Sequence, residues 1–302
     1  MITPQHHRAL VVSVVWTLFL IFLGSVVHAT GSSLACPDWP TCFGTMVPPM
    51  VGGIFWEHLH RLVAGGLILM WLLTGWLVRR ENGPARVRRK WVAGLVLLLV
   101  QAVFGGVTVL LRLPPAISTA HLTLAFLFLG LAVSLAVETS PHRTEATTHP
   151  SLRSTLHRWG TAASGLVLAQ SVLGGLMRHL DAGMACPDIP LCFGQLIPPL
   201  EQPLVVLNFS HRVTALVTGT VVITTALTVL RSPARGQLRR LAWSVISVLF
   251  LQVALGVASV VANLAVAPVS LHTLGAASLF AATVTLTVWG RPIAEPAPAA
   301  VA

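Results

Sequence analysis

Charged side chains are scarce in this chain of 302 residues. Asp, Glu, Lys and Arg together make up 9% of it, while 55% is hydrophobic and the mean hydropathy is +0.81. Because soluble domains carry about 25% charged residues, this scarcity excludes a water-soluble globule. The formal net charge of +10 does not indicate a nucleic-acid partner, since nucleic-acid binders carry their basic residues on a polar domain, and the sequence contains no such domain.

Long runs without any charge take the place of polar surface. Residues 9–29, 91–111 and 113–137 are such runs, and each reaches the roughly 20 residues that a helix needs to cross a bilayer. Runs of this length favour helices over the alternating ~10-residue strands of a membrane barrel. The sequence therefore predicts an all-α polytopic membrane protein surrounded by the lipid bilayer. Its eight predicted transmembrane helices lie at roughly 9–29, 55–78, 91–112, 116–137, 158–178, 206–230, 240–264 and 268–290.

The connections between these spans differ in positive charge. Loops 30–54 and 179–205 contain no Lys or Arg, whereas most of the 19 Lys and Arg residues lie in the other connections and near the chain ends. Positive residues are retained on the cytoplasmic side of a membrane. Both termini are therefore predicted to be cytoplasmic, and the two loops without positive charge are predicted to lie outside.

The chain repeats itself. Residues 34–44, LACPDWPTCFG, recur as residues 184–194, MACPDIPLCFG. After this segment the offset between the two halves grows by one residue. With that offset, His60-Arg61, Gln101 and His121 recur as His211-Arg212, Gln252 and His272.

Each half of this repeat holds an even number of spans, so both halves cross the membrane in the same direction. The sequence therefore predicts two tandem four-helix bundles related by a parallel internal repeat. The predicted N-terminal half is 1–137, the cytoplasmic linker is 138–157 and the C-terminal half is 158–302.

Repeated histidines lie inside the predicted spans, where an ionisable side chain is costly and is usually functional or paired. They are His60, His121, His211 and His272. Two imidazoles at one depth of a bundle, with no Cys or carboxylate cluster nearby, are typical of axial heme ligation, whereas zinc usually takes three or four ligands. The two pairs predict two heme sites. For any one histidine alone, an interhelical hydrogen bond is the alternative.

The two halves differ at one acidic position. Glu57 precedes His60 by one helical turn, whereas Asn208 stands before His211. An acid beside a cofactor in one half only predicts proton chemistry in the first half and a spectator cofactor in the second. A solvated acid at the membrane interface is the alternative.

Four arginines fall on the predicted outer side, against the general distribution of charge. A guanidinium pairs well with a carboxylate such as a heme propionate, and contact with lipid headgroups is the alternative. These candidates for propionate contacts are Arg61, Arg112, Arg178 and Arg212.

The chain has 4 cysteines, in two Cys-x5-Cys pairs in the outer loops. This spacing differs from the Cys-x-x-Cys of thiol oxidoreductases, and an outer compartment permits disulfides. Structural disulfides Cys36–Cys42 and Cys186–Cys192 are predicted, with a redox role as the alternative. His28 and His179 near these loops either serve as additional ligands or face water, and His58 has no assigned role.

Together these motifs resemble bacterial heme A synthase, from about residue 10 to residue 290. The resemblance rests on the Cys-Pro-Asp-Trp-Pro-x-Cys loop, on Glu57-His58-Leu59-His60-Arg61, on Gly105-Gly106-Val107-Thr108-Val109 with Leu113-Pro114-Pro115 and His121, and on His211-Arg212 and His272.

The resemblance implies a membrane oxidoreductase that converts heme O to heme A by oxidising its C8 methyl to a formyl group, for use in cytochrome oxidases. It implies substrate heme O near His60 and His121, a heme b cofactor on His211 and His272, and Glu57 as the essential acid. It further implies a bacterial cell membrane location, heme O supply by heme O synthase and an electron partner of unknown identity, and it leaves a homo-oligomer open. His28 departs from the family pattern, which often has an Arg there.

Three other functions stay open. A di-heme cytochrome b-like electron-transfer subunit explains the two histidine pairs but not an acid in one half alone. A heme carrier or exporter would leave bound heme chemically unchanged. A disulfide-forming membrane enzyme is disfavoured by the Cys-x5-Cys spacing.

Overall fold

The computed structural model describes residues 4–141 and 150–291. Within these ranges the chain forms long helices and no strand, and 8 of the helices are long and apolar enough to cross a membrane. The predicted all-α membrane protein with eight spans is therefore confirmed. The helices are α1 (Gln5–Ala29), α2 (Gly52–Arg80), α3 (Ala85–Leu110), α4 (Pro115–Glu138), α5 (Pro150–His179), α6 (Pro203–Leu230), α7 (Gly236–Val261) and α8 (Val266–Trp289).

The largest difference from the predicted spans is at the start of α5. This helix begins at Pro150, within the predicted linker 138–157, because a proline suits the first position of a helix and the polar residues after it continue the helix beyond the apolar stretch. Residues 142–149 of that linker, and residues 292–302 of the predicted C-terminal half, lie outside the described residues.

The tight turns after α3 and α7 have one geometry. Arg112 and Leu113 have φ of 59° and 62°, and Asn263 and Leu264 have φ of 49° and 60°. The amide of the second residue in each turn bonds a carbonyl of the last helical turn, over 2.7 Å and 2.8 Å, as in a Schellman motif. The break between α7 and α8 therefore falls at 262–265. Pro268, where the split was predicted, lies in the first turn of α8, where its missing N–H is tolerated.

Each run of four consecutive helices packs into a closed ring. In the first half α1 contacts α2 and α4, and α3 contacts α2 and α4; α5 to α8 repeat this pattern. The two rings meet where α1 and α4 contact α8 and where α4 contacts α5. That a parallel internal repeat relates the two rings stays a prediction from the sequence.

The two halves share one apolar core. Buried side chains of α1 and α4 cluster with those of α5 to α8, and the rings of Phe126 and Phe280 lie 5.6 Å apart across the boundary. Gly130 permits this approach, since a Cβ there would lie 3.1 Å from the ring of Phe280. Separating the halves would expose this core, so the protein packs as one body.

Small disulfide-closed loops cover one end of each ring. The structure joins Cys36 to Cys42 and Cys186 to Cys192. In each loop an aspartate accepts the backbone amides of a Phe-Gly pair, Asp38 from Phe43 and Gly44 and Asp188 from the equivalent residues. The hydroxyl of Thr41 also bonds Asp38. The Thr41 hydroxyl, followed by the Gly44 amide, lowers the pKa of Asp38 to about 2.

Candidate functional site

The repeated histidines lie at matching depths on four different helices. His60 and His211 are in the third turn of α2 and α6, and His121 and His272 are in the second turn of α4 and α8. His60 and His121 are close enough to interact electrostatically, and so are His211 and His272. The structure therefore brings each predicted pair together within one ring, toward the end covered by the disulfide loops.

A glycine on the neighbouring helix faces each of these imidazoles. A Cβ added at that glycine would lie 2.9–3.1 Å from the histidine Cε1, closer than side chains normally pack. The facing pairs are Gly24 with His60, Gly105 with His121, Gly174 with His211 and Gly256 with His272. The edge of each ring is thus pressed against a helix backbone, which fixes where the ring lies. The sequence analysis did not identify this role of the glycines.

Hydrogen bonding to the rings differs between the halves. The buried Nδ1 atoms of His60 and His121 have no hydrogen-bond partner among residues 4–141 and 150–291. In the second half, Nδ1 of His272 lies 3.1 Å from the carbonyl oxygen of Gln252, and Nδ1 of His211 lies 3.1 Å from Nε2 of Gln170. Both halves also place a glutamine amide 3.4 Å from Nε2 of the α4 or α8 histidine, Gln101 at His121 and Gln252 at His272, so the difference between the halves lies at the Nδ1 atoms.

Gln170 on α5 has no counterpart in the first half. Its Nε2 also donates to the His211 carbonyl over 2.8 Å, and its Oε1 accepts the Thr214 hydroxyl over 2.5 Å. In the aligned positions of the first half stand Leu20 and Val63. Sequence reasoning missed Gln170 because it searched for residues that repeat; a lone amide within the apolar stretch of a span was the available signal.

The donor set of each ring fits a heme. The described residues hold no group of three or more His, Cys, Asp or Glu side chains that could hold a metal ion. A porphyrin supplies four nitrogen ligands itself, so two facing imidazoles complete the coordination of its iron. Nδ1 of His60 and Nδ1 of His121 have no hydrogen-bond partner among the described residues, which is consistent with a further bond from these rings to a group outside the chain.

Glu57 lies beneath the first disulfide loop and is 4% exposed. Its Oε2 accepts the Cys36 amide over 2.7 Å, and its Oε1 accepts Nη2 of Arg61 over 2.5 Å. The carboxylate is therefore buried and fully bonded, unlike the solvated acid that was the alternative.

Asn208 holds the second loop with the opposite polarity. Its Nδ2 donates to the carbonyls of Ala182 and Gly183, and its Oδ1 accepts Nε of Arg212 over 3.0 Å. In the first loop a backbone N–H donates to the Glu57 carboxylate. In the second loop two backbone carbonyls accept from the Asn208 side chain.

Arg61 and Arg212 use most of their donors on the loops. Arg61 donates to the carbonyls of Asp38, Thr41 and Cys36, and Arg212 donates to those of Asp188, Leu191 and Cys186. Each arginine therefore connects a histidine-bearing helix to its disulfide loop. Contact of these groups with propionates stays a prediction.

The two other outer arginines lie apart from the loops. Arg112 is exposed in the turn after α3, and Nη1 of Arg178 lies 3.9 Å from Asp181. Their contact with propionates also stays a prediction.

His28 and His179 meet where the halves join. Their ring centroids are 5.0 Å apart, and Nδ1 of His179 lies 3.1 Å from the hydroxyl of Thr119 on α4. The sequence did not predict this contact, because it depends on the ends of α1 and α5 lying side by side. His58 is buried, and its Nδ1 has no partner among the described residues.

These features define a class of protein: a multi-pass helical membrane protein with a pair of neighbouring histidines in each of two four-helix rings. The chain matches the COX15-CtaA model, described as a cytochrome oxidase assembly protein, over residues 7–53 and 51–284. It belongs to this family.

Curated relatives cover most of the chain. A protein of Shewanella oneidensis named heme A synthase is 26% identical over 91% of this chain and 93% of its own length. The heme A synthase of Symbiobacterium thermophilum is 30% identical over 79% of this chain and 80% of its own. The heme A synthase of Staphylococcus haemolyticus is 27% identical over 89% and 90%.

Proposed function

We propose that this chain is a heme A synthase, a membrane enzyme that oxidises the C8 methyl of heme O to a formyl group and so supplies heme A to cytochrome oxidase. The observation that carries the proposal is the combination of two pairs of neighbouring histidines with relatives of that name along almost the whole chain. The histidines are the residues that would bind the iron of each heme.

The two sites have different roles in this proposal. Substrate heme O binds between His60 and His121, and a resident heme b binds between His211 and His272. Hydrogen-bond partners at the Nδ1 atoms of the second pair support this assignment: the Gln170 amide donates to His211, and His272 donates to the Gln252 carbonyl, the kind of bond that strengthens metal binding by an imidazole. The first pair lacks them, which suits a site whose occupant must leave.

Glu57 is the proposed proton-handling residue. It lies one turn from His60, is shielded from water by the disulfide loop and is held in place by Cys36 and Arg61. The bound hemes supply the redox chemistry. The protein's contribution at this site is the buried carboxylate of Glu57, which would accept or return a proton during oxidation of the methyl.

The positions of the histidines disfavour the electron-transfer alternative. A di-heme subunit that moves electrons across the membrane places its hemes near opposite faces, whereas all four histidines lie toward the end covered by the loops. We further propose a bacterial cell membrane location with cytoplasmic termini, in agreement with the arginine-rich connections at the other end. Heme O would come from heme O synthase.

Co-expression with a supply of heme O tests the function. The protein is purified in detergent, and its extracted hemes are separated by reverse-phase chromatography with mass detection. Heme A or a hydroxylated heme O, together with heme b, is the expected result. Heme b alone, despite available heme O, would contradict the proposal and favour the electron-transfer subunit.

A further inference from the structure

A cleft opens between the end of α2 and the start of α3, at the end of the first ring opposite the disulfide loops. Its volume is about 370 Å³, within the ~300–1,000 Å³ of small-ligand sites. Its lining combines three arginines with apolar residues and includes Val78, Arg79, Ala85, Arg88, Arg89 and Trp91. No part of the proposed heme chemistry uses this cleft.

The cleft carries positive charge that the described residues do not neutralise. Arg79, Arg88 and Arg89 are exposed, and none of them forms an ion pair within residues 4–141 and 150–291. The nearby carboxylates are occupied elsewhere. Glu81 is bonded to the first turn of α1, and Glu138 is paired with Lys90 and Arg291.

The start of α3 adds to this charge. Ala85 is its first residue, no side chain caps it, and its first turn contains no acidic residue. A helix N-terminus attracts anions, and Ala85 lines the cleft together with the three arginines. The cleft is therefore complementary to an anion.

An apolar track leads from the cleft along α3. Val92, Val96 and Leu99 recur at helical spacing and are 48%, 55% and 50% exposed, so they form a stripe on the membrane-facing surface. The Trp91 ring forms the wall beside Arg79 and is fixed by its bond to the Trp71 carbonyl. An amphiphile would fit both the cleft and the stripe, with its anionic head at the arginines and its apolar tail along α3.

The second half lacks this arrangement. Leu230 stands in place of Arg79, and Ala242 stands in place of Trp91. Arg239, which corresponds to Arg88, donates instead to the Leu230 carbonyl over 2.9 Å. The cleft is thus a feature of the first half and not a general result of basic connections.

We propose that this cleft binds an anionic glycerophospholipid of the surrounding bilayer. Its phosphate oxygens would accept hydrogen bonds from Arg79, Arg88 and Arg89, and an acyl chain would follow Val92, Val96 and Leu99. Basic pockets between membrane helices are known to select such headgroups. The continuous apolar stripe favours a lipid over a soluble phosphate.

The test measures lipid retained by the full-length protein after purification in detergent, by mass spectrometry of extracted phospholipids per chain. We expect phosphatidylglycerol or cardiolipin to be retained by the wild type and reduced about tenfold in Arg88→Gln/Arg89→Gln. The matched control, Arg239→Gln/Arg240→Gln, should retain it. Equal losses in both variants, or none in either, would overturn the proposal.

A second variant leaves every arginine in place. Ala85→Glu puts a carboxylate at the mouth of the cleft, and we expect it to displace the lipid while the protein stays folded. A shift of the thermal unfolding midpoint on adding phosphatidylglycerol, but not phosphatidylcholine, should be seen in the wild type and lost in Ala85→Glu. An equal shift with inorganic phosphate would identify a soluble anion as the ligand and contradict the lipid.

Discussion

The two halves hold their histidines in the same places by different means. In both halves, each imidazole packs closely against a glycine on a neighbouring helix. The arginine that follows the α2 or α6 histidine donates hydrogen bonds to a disulfide loop. Only the second half adds hydrogen bonds to the Nδ1 atoms, and only the first has a buried carboxylate one turn away. A few polar side chains therefore distinguish two nearly equivalent sites.

This difference shows that two properties of a histidine site, the position of the imidazole and its affinity for a metal, depend on different contacts. Packing against glycine is enough to aim an imidazole, but hydrogen bonds to its second nitrogen raise its affinity for a metal by about 10–100-fold. A ring whose Nδ1 has no partner in the protein suits an occupant that arrives and leaves. The acid is found on that side, where proposed turnover takes place.

The largest expected effect comes from changing the residue that lies one turn before the histidine in each half, from acid to amide in the first half and from amide to acid in the second. Glu57→Gln should lower heme A formation by at least about 100-fold, the usual size of a general acid–base contribution, while bound heme b is unchanged. Asn208→Asp, the matched change, should loosen the second loop, because a carboxylate cannot donate to the Ala182 and Gly183 carbonyls, but it should lower heme A formation only a few-fold. Extracted hemes are measured by chromatography. Normal heme A from Glu57→Gln would show that the carboxylate only anchors the loop.

Gln170 allows the retention argument to be tested next. Gln170→Leu gives the second site the residue found in the first, and we expect heme b to dissociate several-fold faster, because Gln170 bonds both the ring and the backbone carbonyl of His211. The low-spin heme spectrum by electron paramagnetic resonance should also change, because the His211 ring loses its partner. Leu20→Gln is the matched variant and should leave heme b unaffected. Unchanged heme b dissociation and spectrum in Gln170→Leu would mean that packing alone retains the cofactor.

Removing each disulfide in turn gives a smaller expected effect, which compares stability and heme A formation between the two loops. Replacing either cysteine pair by serines should cost about 2 kcal/mol of stability, as expected for closing so short a loop. Only Cys36→Ser/Cys42→Ser disturbs the amide that Glu57 accepts, so only that variant should also slow heme A formation, by several-fold. Thermal unfolding and heme A yield are measured for both variants. Equal heme A yields from the two variants would show that the first disulfide loop does not contribute to heme A formation.

The smallest expected effect concerns the loop aspartates. Hydrogen bonds lower the pKa values of Asp38 and Asp188, so these contacts are fully present above the ordinary aspartate pKa near 4 and are lost at lower pH. For Asp38 the loss runs down to pH about 2. Thr41→Leu should raise the pKa of Asp38, and Leu191→Thr should lower that of Asp188, as measured by carbon NMR of the carboxyl groups.

The eight spans and the histidine pairs followed from the sequence, because missing charge and a repeated set of motifs are visible without a structure. The start of α5 at Pro150 did not, since its first turns are polar and carry no span signal. Gln170 was missed because the repeat concealed it, and the His28–His179 contact depends on how the two rings meet. The loop contacts of Arg61 and Arg212 need backbone carbonyls whose positions only the folded loops define.

The glycine opposite each histidine offers a rule for building synthetic membrane hemoproteins. In a designed bundle, a glycine on one helix and a histidine on the next would position the imidazole without a further polar group in the hydrocarbon. An amide could then be added or omitted to choose a permanent or an exchangeable cofactor. The four glycine–histidine pairs described above provide a template for that choice.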